Sequence, residues 1–146
     1  MGRDDGVIDT ADILEAKVLI VDDLPADVLL LKNLLRGAGY LSVASTLDSR
    51  AVCELHRRNR FDLIVLDLQM PAMDGFAVMD GLREIEAEGR LPVLVVTAWP
   101  DHRRRALGAG ASDFLSKPFA LAEVLKHVHD SLESRLAARG LASAGR

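Results

Sequence analysis

Short apolar runs that halt at acidic or hydroxyl residues alternate along this chain with segments of helical spacing. Lys17–Val21 stops at Asp22-Asp23, Leu63–Leu66 at Asp67, and Pro92–Val96 at Thr97. These runs are rich in branched residues and apolar on both faces, the pattern of strands inside a parallel sheet. A weaker run, Leu41–Ala44, and a short one, Asp113–Leu115, bring the expected strands to five. Between them, Val28, Leu31 and Leu35 recur at helical spacing, and Gly37 and Gly39 stop that helix. Ala51, Val52 and Leu55 form a second stripe, with Thr46 or Asp48 available as its cap. Phe76, Met79 and Leu82 or Arg83 form a third, opened by Asp74-Gly75, and residues 101–108 predict a short fourth helix. Leu121, Val124, Leu125 and Val128 begin a fifth, which is expected to continue to about Ala138. Strands interleaved with helices in this way predict an α/β doubly wound domain of five βα units. Residues 1–16 carry five acids and little periodicity, so they read as a flexible lead-in with room for a helical turn around Ile8–Leu14.

Composition narrows the partners. A chain of 146 residues suits one domain with short tails, and 49% hydrophobic residues is enough for a packed core. The net charge of −4 offers no general attraction to nucleic acid or anionic membranes. With 4% aromatic residues, no stacking platform for single strands is visible either. Cys53 is the lone cysteine, which excludes an internal disulfide and a cysteine-based zinc site and suits a reducing compartment. No apolar run is long enough to cross a bilayer, and the acidic stretch Met1–Glu15 is unlike a signal peptide. A cytoplasmic protein is expected.

The run ends carry the candidate chemistry. In open parallel sheets the ligand crevice lies at the carboxyl edge of the strands. Asp22, Asp23, Asp67, Thr97 and, after the fifth run, Lys117 are therefore expected to converge on one small site. Three carboxylates at such range cannot all stay ionised without positive charge beside them. Lys117 supplies one such charge, and a hard divalent cation such as Mg²⁺ would supply the rest while keeping positions open for phosphate oxygens. An Asp carboxylate is a nucleophile toward phosphoryl groups, forming an acyl phosphate. Mg²⁺, Lys117 and the Thr97 hydroxyl would neutralise charge on the transferred oxygens. Each residue alone has a plainer reading, since an aspartate at a strand end is most often a helix cap or turn residue. Their joint spacing across the chain favours phosphoryl chemistry.

Val21-Asp22-Asp23, Leu66-Asp67-Leu68-Gln69-Met70-Pro71, Met73-Asp74-Gly75, Val96-Thr97-Ala98 and Lys117-Pro118-Phe119 together resemble the signature set of receiver domains of bacterial two-component response regulators. The resemblance runs from about Lys17 to Leu132, leaving residues 133–146 as a helix extension and tail. It implies a flavodoxin-like fold with a five-stranded parallel sheet in the order 2-1-3-4-5. It implies that Asp67 accepts a phosphoryl group from a phosphohistidine of a sensor histidine kinase or phosphotransfer protein, with no catalysis beyond transfer to, and hydrolysis from, Asp67 itself. Asp23 and Asp67 would bind Mg²⁺ (or Mn²⁺ in its place) directly, Gln69 through its main-chain carbonyl, and Asp22 chiefly through bound water. Lys117 and Thr97 would each hold a phosphoryl oxygen, Ala98 would leave the group accessible, and the Lys117–Pro118 bond would be cis. Thr97 and Phe114 would act as the switch, reshaping the face of the fourth helix, fifth strand and fifth helix, which is also a candidate homodimer surface. Gln69 and Trp99 lie where members of the family tune phosphoryl lifetime, and the bulk of Trp99 is expected to hinder attacking water.

Other readings are weaker. An aspartyl-phosphate phosphotransferase or phosphatase generally needs a second Asp two residues after the nucleophile, and Gln69 stands there. A degenerate receiver would have lost part of a chemical set that is intact here, whereas a phosphoryl shuttle within a phosphorelay fits the same residues. Arg103, Arg104 and Arg105 read as a solvated basic face or a partner surface, and His127 and His129 as surface residues that face different sides of a helix. The segment after Leu132 is too short for an output domain, so a stand-alone receiver without direct DNA binding is expected.

Overall fold

All five expected strands form. In this computed structural model, which describes residues 9–71, 73–86 and 91–144, they are β1 (Lys17–Val21), β2 (Ser42–Thr46), β3 (Leu63–Leu66), β4 (Val93–Thr97) and β5 (Asp113–Ser116). Together they make one parallel sheet in the order β2-β1-β3-β4-β5, the order that the motifs implied. β2 runs two residues past its apolar letters because Ile20 and Val21 of β1 pair with Ser45 and Thr46. As an edge strand it needs little apolar character to keep that ladder, which is why its pattern was weak.

The helices are α1 (Thr10–Glu15), α2 (Pro25–Gly37), α3 (Val52–Asn59), α4 (Gly75–Ile85), α5 (Arg103–Gly108) and α6 (Leu121–Ala144). Neither candidate caps α3 itself: Asp48 caps the 3-10 turn Ser49–Ala51 that leads into it, its carboxylate accepting the Arg50 N–H at 2.9 Å, while the Thr46 hydroxyl accepts the Asp48 N–H. The two-residue period of the strands sorts the core into two layers. Val18 and Ile20 face α1, α2 and α6, where Ile13, Leu31, Leu35, Val124 and Val128 are buried. Leu19 and Val21 face α3, α4 and α5, against Val52, Val78, Met79 and Ala106.

Two expectations need correction at the ends of the chain. The flexible lead-in, over its described part, is the helix α1, whose Ile13 is 2% exposed and whose neighbour Ala16 is also in the core. The remainder, residues 1–8, lies outside the described residues. At the other end α6 continues beyond Ala138 to Ala144. Around Ala138 it is tied to the body of the domain by two arginines. Arg139 hydrogen-bonds the Asp62 carboxylate, and Arg135 lies 3.8 Å from Asp62 and 3.6 Å from Glu86. Asp62 also accepts the Lys17 N–H at 2.9 Å. Glu86 in turn meets Nε2 of the fully buried His56 at 2.8 Å, and His56 Nδ1 accepts the Phe61 N–H, which leaves the ring proton on the Glu86 side. No helix among the described residues is long and apolar enough to cross a membrane.

Candidate functional site

The opposite, carboxyl edge of the sheet collects the acids. The ladder extends one residue beyond β1, β3 and the edge strand β5: the Asp22 N–H donates to Thr46, the Asp67 N–H to Val21 and the Lys117 N–H to Thr97. Val21 pairs with Leu66, so Asp22 and Asp67 follow side by side. Asp22 is 2% and Asp67 5% exposed, while Asp23 is half-buried beside them. Carboxylate oxygens of the three lie within 4.8 Å of one another. Asp23 has no hydrogen-bond or ion-pair partner among the described residues.

One cation serves this cluster. Lys117 Nζ lies 2.8 Å from Asp22, 3.4 Å from Asp67 and 2.7 Å from Asp27. The Lys117–Pro118 bond is cis, as the motif implied. Burial works against the Lys117 ammonium, but hydrogen bonds to Asp22 and Asp27 and the charges of Asp67 and Asp22 together outweigh it and hold its pKa above the ordinary lysine value. Burial likewise pushes the Asp22 carboxyl up; hydrogen bonds from Lys117 and the Leu24 N–H only partly offset it, and the Asp67 charge adds to the rise. Four carboxylates around one ammonium leave a marked excess of negative charge. The donors are all oxygens, two of the three clustered carboxylates are buried, and a divalent cation would cancel most of the excess. The residues present therefore fit a hard cation such as Mg²⁺.

Around this cluster stand the remaining expected residues. Thr97, fully buried at the end of β4, accepts a long hydrogen bond from the Trp99 N–H at 3.4 Å. Gln69 donates its N–H to Asp67 Oδ1 at 3.1 Å. Trp99, 38% exposed, lines a cleft of about 400 Å³ together with Asp23, Gln69 and Asp74. Its ring lies tilted against His102 at 5.0 Å, and His102 in turn lies 5.9 Å from Phe76. Arg105, one of the three consecutive arginines, sits 3.8 Å from the Phe76 ring centre, so it is more than a solvated charge. Phe114 is buried among the α4 and α5 side chains and so occupies an inward position. His127 is not a plain surface residue either, since it pairs with Asp113.

Two positioning contacts add to the reading of the sequence, in which Asp74-Gly75 stands only as a helix start and Asp27 is not singled out. Gly75 opens α4 directly against the chain after Asp67, where an added Cβ would come within 2.7 Å of Leu68 Cα. Its N–H donates to Leu68 at 3.0 Å, and Asp74 caps the same helix through the Ala77 N–H. Asp27, on the first turn of α2, takes the shortest bond of Lys117. A single acid after Pro25 reads as a favourable helix-start charge, and nothing local points to a lysine ninety positions away.

An acid cluster with one lysine at the carboxyl edge of a 2-1-3-4-5 parallel sheet is an arrangement suited to a phosphoryl group. Residues 18–129 match the response regulator receiver domain family, and the chain belongs to that family, in which phosphoryl acceptance on an aspartate is the common function. Receiver domains are signalling domains of two-component systems. The chain is 38% identical over 107 residues to the response regulator PleD of Caulobacter vibrioides, covering 72% of this chain and 23% of PleD. It is 35% identical to the chemotaxis protein CheY of Pseudomonas aeruginosa, covering 82% of this chain and 98% of CheY. Among solved structures, the receiver domain of a sensor histidine kinase from Pseudomonas aeruginosa, described with a magnesium ion coordinated in its active-site cleft, superposes with a TM-score of 0.73 at 29% identity, covering 81% of this chain and 98% of that one. The chain thus spans less than a quarter of PleD's length and nearly all of CheY's.

Proposed function

We propose that Asp67 is the phosphoryl acceptor of a phosphorylation-driven switch, with a sensor histidine kinase or a histidine phosphotransfer protein as donor. The observation that carries this reading is the buried group of Asp22, Asp23 and Asp67 with Lys117 as its only paired cation among the described residues. Asp23 and Asp67 would hold Mg²⁺, or Mn²⁺ in its place, with the Gln69 carbonyl and, through water, Asp22. When bound, the ion supplies the positive charge that lets an anionic phosphoryl group approach.

An Asp67 carboxylate oxygen attacks phosphorus. The new O–P bond forms as the donor's N–P bond breaks, and the imidazole leaves with the electron pair. Lys117 holds one phosphoryl oxygen, and the Thr97 hydroxyl, whose own proton is not engaged by Trp99, donates to another. Hydrolysis by water returns phosphate and free Asp67, so the chain catalyses only its own turnover. Gln69 and Trp99 border the cleft by which that water arrives, which suits them to set the lifetime. Thr97 drawn toward the phosphoryl group would couple to Phe114 and reshape the α5–β5–α6 face, the surface offered to a downstream protein or to a second copy. The receiver unit is read as residues 17–132, with residues 133–146 as an extension. The net charge of −4 favours protein partners over DNA, and the lone cysteine suits the cytoplasm. Serving as a shuttle in a phosphorelay uses the same chemistry.

Beryllofluoride with Mg²⁺ mimics the phosphoryl group, and Trp99 is the sole tryptophan. The wild type is expected to change its fluorescence on their addition, and Asp67→Asn to give no change. A silent wild type, or an equal response from Asp67→Asn, would overturn the assignment.

A further inference from the structure

Lys117 spends its strongest contacts away from the acceptor. Its ammonium lies 2.7 Å from Asp27 and 2.8 Å from Asp22, but 3.4 Å from Asp67. Asp22 belongs to the three-acid cluster, whereas Asp27 does not. Asp27 sits on the first turn of α2, yet its carboxylate caps nothing there: the N-cap is Leu24, with no side-chain cap bond. The Lys117 contact is thus the one specific interaction of the Asp27 side chain among the described residues.

We propose that Asp27 is a positioning residue that anchors Lys117 away from Asp67 in the unphosphorylated protein. This rests on the reading of Asp67 and Lys117 given above. A phosphoryl group on Asp67 then has to draw the ammonium from Asp27, so Asp27 weakens the phosphorylated state relative to the resting one. The same anchor helps the cation site. With Lys117 held toward α2, its positive charge competes less with a divalent ion for the Asp67 and Asp22 oxygens, and the Asp27 charge itself adds attraction. One residue therefore acts in opposite directions on the two ligands.

The opposition is the test. Trp99 fluorescence reports Mg²⁺ binding alone, and then beryllofluoride binding at saturating Mg²⁺, in wild type, Asp27→Asn and Asp27→Glu. Asp27→Asn is expected to bind beryllofluoride about tenfold more tightly, as expected for loss of one charged competitor. It is expected to bind Mg²⁺ about twofold to threefold more weakly, and Asp27→Glu is expected to lie between it and the wild type in both. Thermal melts confirm that each variant is folded. Equal affinities in wild type and Asp27→Asn overturn the inference, and so does a parallel weakening of both ligands, the signature of a merely structural role. A wild type that does not respond to beryllofluoride overturns the function proposed for the site and this inference with it. A responsive wild type beside an indistinguishable Asp27→Asn overturns the inference alone.

Discussion

The two ends of one sheet carry buried charge in opposite ways. At the amino edge, Asp62 and Glu86 face Arg135 and Arg139, with a backbone N–H of Lys17 and the His56 ring completing their hydrogen bonds. At the carboxyl edge, Asp22, Asp27 and Asp67 share Lys117 as their one paired cation among the described residues, and Asp23 beside them has none. The first network sets two acids against two arginines and fastens α6 to the body of the domain. The second is left with an excess of negative charge that asks for a ligand. Buried charge that balances is structural, and buried charge that does not balance marks the site.

The comparison predicts opposite signs for the same kind of substitution. Asp62→Ala strips Arg139 and the Lys17 N–H of their acceptor and leaves the nearby Arg135 without its opposite charge, so it is expected to destabilise by about 3 kcal/mol. Urea denaturation measures this, and a change below the error of the fit would show that the amino-edge network is ornamental. Asp67→Asn removes a like charge from the other end. In EDTA it is expected to stabilise by about 1 kcal/mol; a loss of stability would mean that the acid cluster is not strained.

A smaller effect comes from pH. The Asp22 carboxyl is raised, so in metal-free buffer the native state keeps a proton that the unfolded chain has released. Stability then falls as pH rises from about 4 through the folded value of Asp22. Melting curves in EDTA are expected to show this decline in the wild type and a flatter profile in Asp22→Asn. A profile that rises equally in both through that window would contradict the assigned burial cost. Lys117 acts at the far end: its raised pKa adds stability that is present below about pH 10 and lost as pH climbs through its folded value. The smallest effect concerns access. Trp99→Ala is expected to shorten the lifetime of phosphorylated Asp67 by about threefold, less than 1 kcal/mol of barrier. Phosphate release in Mg²⁺ buffer measures it, and an unchanged or longer lifetime would remove Trp99 from that role.

The carboxyl edge was legible because buried parallel strands advertise themselves as apolar runs, and the residue that ends each run, Asp22, Asp67 or Thr97, stands at the site by construction. The sheet order came from the same motifs. The amino edge was not legible. Asp62, Glu86, Arg135 and Arg139 come from separate segments, and in isolation each reads as an ordinary surface charge. α1 was missed as packed structure for a similar reason. Its few apolar residues, Ile13 and Leu14 among acids, have meaning only against α2 and α6, the latter contributed by the far end of the chain. Asp27 shows the limit most plainly, because its role depends on a lysine delivered by β5. The surroundings of Phe114 and Trp99, the α4–α5 core and the tilted His102–Phe76 ring pair, required the fold.

The central claim, that the carboxyl-edge acids hold a phosphoryl group on Asp67, is tested most directly by locating that group. The protein is incubated with acetyl phosphate and Mg²⁺, reduced with borohydride to trap any acyl phosphate, and mapped by peptide mass spectrometry. The account predicts one modified residue, Asp67, that is lost in EDTA and in Asp67→Asn. Modification at another aspartate, or none at all in Mg²⁺, would contradict it.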